Sequence, residues 1–166
     1  MTNNKFDPEP LIRFMKVLPK NGDIELTLLK CHLLSEEVLT KLISKAFKNP
    51  KHLSDARLSF SQKIKLARAA NEINHASWVW KALELLNQAR NELSHSLALE
   101  ETQERINKFV LHVKSHSDET PSNVITEKFT EFHWAIFNVY LIIVAAANFD
   151  PASIKIKTLL DDVDDA

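Results

Sequence analysis

The chain has 166 residues, 45% apolar and 26% charged, with a net charge of −1; this supports one domain around one core, not two, and excludes a polycation that coats nucleic acid over its whole surface. Gly22 is the only glycine and Cys31 the only cysteine. The first argues against a sheet protein with many hairpin turns, and the second excludes an intrachain disulfide or a cysteine-built zinc site, which suits a reducing cytoplasm. With abundant Leu, Ala, Lys and Glu, the expected fold is all-α. The predicted architecture is an antiparallel helical bundle of five to six helices in a single domain over residues 1–166, with 1–22 an N-terminal extension and 150–166 an acidic tail.

In chain order, the opening MTNNKFDPEP lacks an apolar run behind its charge and does not read as a secretory signal. A short helix is expected from Pro10 to Val17. Asn21-Gly22-Asp23 reads as a turn, with Asp23 as the N-cap of the next helix. That long helix is predicted from Ile24 to Lys48, with Leu28, Cys31, Ser35, Leu39, Leu42 and Ala46 on one face. Asn49-Pro50 ends it, because proline disfavours the helical state of its predecessor. Residues 49–60 read as a loop. Ser61 is the expected cap of a shorter helix over Gln62–Glu72.

A break near Asn74–Ala76 precedes a fourth helix from Ser77 to His95, and Leu97–Leu99 reads as a kink. A fifth helix is expected over Glu100–Lys114, followed by the loop SHSDETPSN. Ser122 or Asn123 is the expected cap of a last helix that stops before Asp150-Pro151. The apolar run from Trp134 to Phe149 is shorter than the ~20 residues of a membrane span and contains Asn138, so it reads as a buried helix or subunit interface. No membrane association is expected.

Charge is unevenly distributed. Lys41, Lys45, Lys48, Lys51, Arg57, Lys63, Lys65 and Arg68 are opposed over that stretch only by Asp55. Such a surface attracts phosphate even when the whole molecule is near neutral, and Lys63, Lys65 and Arg68 are its candidate RNA-binding residues. The alternative is that these side chains only solvate helix faces. His112 and His116 are spaced i, i+4, as metal ligands can be, but no third ligand is fixed, so they read as exposed surface histidines. Trp78, Trp80 and Trp134 read as core or interface before they read as base-stacking platforms.

The fourth helix carries the informative pattern. Val79, Leu83, Leu86, Arg90 and Leu93 follow a seam spacing, so Arg90 occupies a place where packing alone would choose leucine. A half-buried guanidinium is costly unless something meets it. Asn87, Asn91 and His95 form a neighbouring stripe at i, i+4 steps. Arg90 and His95 are about 140° apart on an ideal helix. They therefore converge only through a local distortion, a long reach by Arg90, or a second copy of the chain in a two-fold homodimer. Two readings stay open from residues alone. Arg90 pairs with a carboxylate such as Glu25, Glu36 or Glu37 and His95 is a helix-terminal residue, or the two serve phosphodiester cleavage, with an imidazole that moves protons and a guanidinium that holds phosphate.

The segment ARNELSHSL, preceded by KALELLNQ, resembles the R-x4-6-H motif of HEPN domains, including the polar residue directly after the arginine, here Asn91. The helix ELTLLKCHLLSEEVLTKLI and the segment SFSQKIKLARAANEI are similar to that family's layout. Within that family the segment looks like the branch related to mannitol operon repressors, which share an RN-x3-H segment. The resemblance covers about residues 24 to 115, with RNELSH its specific core. It implies an α-helical bundle, often dimeric, that in many members is a metal-independent endoribonuclease of toxin–antitoxin, phage-defence or RNA-processing systems. By that resemblance Arg90 and His95 are the catalytic pair and Asn91 their polar partner, while Glu36 or Glu37 matches an acidic residue on the earlier helix of some members. It implies RNA as substrate, no metal or other cofactor, a homodimer, and an antitoxin or regulatory protein as further partner. Some relatives with a similar motif are regulatory, so a non-catalytic helical interaction module is the alternative.

Overall fold

A computed structural model of the chain describes residues 8–20, 22–71, 73–96, 99–117 and 129–148. Among them are six α-helices and no strand: α1 (Glu9–Val17), α2 (Ile24–Lys45), α3 (Phe60–Ala70), α4 (Trp78–His95), α5 (Leu99–Lys114) and α6 (Glu131–Asn148). Short 3-10 turns occupy Pro50–Ala56 and Asn74–Ala76. The chain is the all-helical bundle its composition predicts.

The helix starts follow local chemistry. Gly22 takes a left-handed φ of 77°, which turns the chain into α2 at little steric cost. Asp23 then caps the helix, its carboxylate accepting the Leu26 N–H at 2.9 Å. At α3 the cap is Ser59 and not Ser61. The Ser59 hydroxyl accepts the Gln62 N–H while the Gln62 side chain accepts the Ser59 N–H at 2.8 Å. This reciprocal capping box starts the helix at Phe60 and buries that ring. Helix α2 stops at Lys45, short of Lys48, and the expected loop after it contains the 3-10 turn begun by Pro50. Helix α5 begins at Leu99, one residue before the expected start. The caps expected at Ser122 and Asn123, and the kink residues Leu97 and Ala98, lie outside the described residues. At the entry to α6, the Thr130 N–H donates to His133 Nδ1 at 3.2 Å.

Helix α2 lies at the centre, against α3, α4 and α6, and α1 touches it, with Arg13 paired to Glu37. Leu28, Leu39, Leu42 and Ile43 from α2 meet Leu83 and Leu86 from α4, Ile106 and Phe109 from α5, and Ile136 and Ile143 from α6 in one core. Helices α4 and α5 form an antiparallel hairpin, fixed by His112 against Trp78 O at one end and Arg105 against Glu92 at the other. Helices α2 and α3 run the same way, since His32 stacks on Phe60 and Glu36 pairs with Lys63. The segment 46–59 returns the chain to make this possible. Helix α6 is buried almost all round, from Phe132 to Ala147, which explains a sequence that is apolar apart from His133 and Asn138. No helix among the described residues is long and apolar enough to cross a membrane.

Candidate functional site

The seam read from α4 is real up to its last turns. Val79, Leu83 and Leu86 are fully buried, and the groove then opens so that Arg90 and Leu93 are only half-buried. Arg90 has no ion pair among the described residues. Its nearest polar partner is the neighbouring Asn91, with Nη1 3.4 Å from Oδ1. The carboxylates expected to pair with it are used elsewhere. Glu36 accepts Lys63 at 2.8 Å, and Glu37 holds Arg13 at 2.5 Å. Glu25 makes no ion pair with it either. A permanent cation at a half-buried position with no counter-charge is an anion-accepting feature.

On the flank of α4 facing α2, Asn87 Oδ1 lies 3.2 Å from His32 Nε2. The His32 ring is buried and stacks on Phe60 with centroids 3.9 Å apart. Burial pushes its pKa below the ordinary histidine value; Arg90 adds to that, while Asn87 and Glu36 oppose it. Burial thus disfavours the charged form of His32 inside the α2–α4 contact, and Arg90, three residues beyond its partner Asn87, lies toward the same side of α4.

On the other flank, Gln88, Asn91, Glu92 and His95 from α4 and Arg105 from α5 line an open groove of about 380 Å³. The four α4 residues share one face at i, i+3, i+4 and i+7. Asn91 and His95 are exposed. His95 is the last residue of α4, where the Ser96 N–H closes back onto Glu92 O. Arg105 Nε stands 3.5 Å from Glu92 Oε2.

Within one chain, then, Arg90 and His95 lie on different flanks, as the helical wheel requires. Asn91 belongs to both: it contacts Arg90 and lines the groove with His95. Of the candidate RNA-binding residues, Lys65 and Arg68 are exposed on α3, whereas Lys63 is tied to Glu36 with its side chain 18% exposed. Sequence reasoning missed Arg105 and His32 as members of this region, because both arrive from other helices and share no spacing with RNELSH.

The remaining candidates settle into structural places. His112 Nε2 is 3.1 Å from Trp78 O, and His116 stacks on the Trp78 ring with centroids 5.7 Å apart. His116 is exposed as expected, but His112 is half-buried. No third metal ligand joins them among the described residues. Trp80 and Trp134 are core side chains. In comparisons with protein-family models, curated proteins and solved structures, the chain matches none.

Proposed function

We propose that this chain is a metal-independent endoribonuclease of the HEPN type, working as a homodimer in the cytoplasm, in a toxin–antitoxin, phage-defence or RNA-processing setting. The observation that carries the reading is Arg90: a half-buried guanidinium with no counter-ion among the described residues, one residue from Asn91, which leads to the His95 groove.

In this reading, neutral His95 of one copy removes the proton from a ribose 2′-hydroxyl. The 2′-oxygen attacks the adjacent phosphorus, the bond to the 5′-oxygen breaks, and the resulting imidazolium returns the proton to that leaving oxygen. Arg90 of the other copy offers its fork to the non-bridging oxygens as charge builds on them. Asn91 orients the imidazole or holds a phosphate oxygen. Lys65 and Arg68 supply charge for the rest of the strand, with Lys63 held in reserve by Glu36. The scheme uses no cofactor.

The test is cleavage of RNA by the purified chain in EDTA. The expected products end in a 2′,3′-cyclic phosphate and a 5′-hydroxyl, and Arg90→Ala or His95→Ala each lowers the rate by at least about 100-fold while helical content is kept. Intact RNA after incubation with the wild-type chain, freed from any partner, would sink the reading.

A second reading, a non-catalytic helical regulatory or interaction module of the mannitol-repressor-like type, is favoured by Leu26, Leu29 and Leu33. They stand exposed along α2, Leu33 at 59%. It expects a stable protein complex and no loss of function on His95→Ala.

A further inference from the structure

The His95 groove holds a guanidinium that the RNELSH pattern does not contain, on the opposite flank of α4 from Arg90. Arg105 reaches it from α5, one antiparallel helix away, and every side chain lining the groove with it ends in a polar group: the Gln88 and Asn91 amides, the Glu92 carboxylate and the His95 imidazole. Among the described residues that line the groove, the opposing charge is Glu92, and that contact is long, 3.5 Å through Nε, at side chains 41% and 23% exposed; Glu104, one residue before Arg105, also feels its charge but is paired with Lys108 at 2.7 Å. A long, partly exposed pair of this kind is weak. It leaves the guanidinium fork available, and Glu92 acts as a light tether that aims the side chain into the groove. A fork, two amides and an imidazole in an open channel form a donor set matched to a phosphodiester oxygen pair. An apolar or cationic ligand would leave those donors unmet.

We propose that Arg105 is the anchoring cation of an RNA phosphate subsite in this groove, holding a phosphodiester of the strand beside His95, with Gln88 and Asn91 as supporting donors. The identity of the ligand as RNA rests on the ribonuclease reading above. The subsite lies in one chain, so it loads the strand onto the histidine before the partner's arginine meets the reacting phosphate.

The experiment uses the full chain and two substrates. One is a cleavable RNA, the other a 2′-O-methyl oligonucleotide of the same sequence, which binds but has no 2′-hydroxyl to react. Arg105→Ala is expected to weaken binding of the uncleavable strand about tenfold and to flatten the slope of log affinity against log salt by about 0.7, one phosphate contact on a single strand. On the cleavable RNA the loss should fall on KM, with kcat changed less than twofold. Arg105→Lys should recover part of the affinity, and Glu92→Gln, which removes the opposing charge, should tighten binding severalfold. Wild-type-like affinity and salt slope in Arg105→Ala, with RNA still cut, would overturn the subsite and leave the nuclease reading standing. Arginine-dependent binding of the uncleavable strand with no cleavage would support the subsite and sink the nuclease. A chain that neither binds nor cuts would overturn both.

Discussion

His133 is committed at both ring nitrogens. Its Nδ1 accepts the Thr130 N–H at 3.2 Å and lies 2.9 Å from the Thr130 hydroxyl, while Nε2 donates to Pro19 O at 3.0 Å. Only the neutral ring fits both ends, and a proton on Nδ1 would also place positive charge at the start of α6, where the helix dipole disfavours it. Burial accordingly lowers its pKa from the ordinary 6.5, against the opposing pull of the Pro19 carbonyl. Burial lowers His32 as well. A ring that resists protonation when folded accepts a proton more readily when unfolded. The stability it lends is therefore present above the unfolded value and is lost as pH falls from there through the folded value. The urea midpoint is expected to drop between about pH 7.5 and pH 5.5. His133→Gln, which keeps an acceptor and a donor but does not titrate, should shrink that drop. An equal slope in the variant would show that His133 is not the group responsible.

The residue scale is also where the sequence was least informative about the site. Asn91 and His95 share a helix face at i, i+4 and are found together in one groove, because that relation is local and follows from helix pitch alone. Arg105 and His32 could not be read, because hairpin packing and the α2–α4 contact bring them in, and no period in the sequence encodes which helices will be neighbours.

Among the elements, α3 gives the clearest lesson. Ser59 and Ser61 flank Phe60 at its start, and only Ser59 has a glutamine three positions on. That Ser-x-x-Gln pattern was the available signal and decides the boundary. Ser59→Ala should cost about 1 kcal/mol, lowering Tm by about 2–4 °C for a domain of this size. Ser61→Ala, exposed inside the first turn, should stay within about 0.5 kcal/mol. Thermal melts of the two variants check the assignment, and the reverse ranking would place the cap at Ser61 after all. Elsewhere the elements were readable for plain reasons. Asp23 caps α2 because a carboxylate follows the one glycine, and the α4 seam is buried through Val79, Leu83 and Leu86. The parallel run of α2 and α3 was not readable, since it depends on how residues 46–59 return.

For the whole molecule, the divergence of Arg90 and His95 on α4 sets a test of assembly that single variants cannot provide. If each site draws its arginine from one copy and its histidine from the other, Arg90→Ala and His95→Ala are each inactive alone. Equal mixtures form mixed dimers in half of all pairings, and each of those holds one intact site of two. Recovery of about a quarter of wild-type cleavage is the expected outcome after mixing and refolding together. No recovery would mean that both groups serve the same copy, or that they serve no reaction.

The sulfur of Cys31 has a consequence at this same scale. It is the only one of its kind in the chain, is wholly enclosed by the core, and has its thiol driven toward the protonated form by burial. No covalent staple between copies is therefore available to the folded chain, in any redox climate. If the proposed homodimeric nuclease holds, partnership is governed by mass action alone, and cutting power per molecule fades on dilution and climbs with abundance, making the cellular dose of the protein its own throttle.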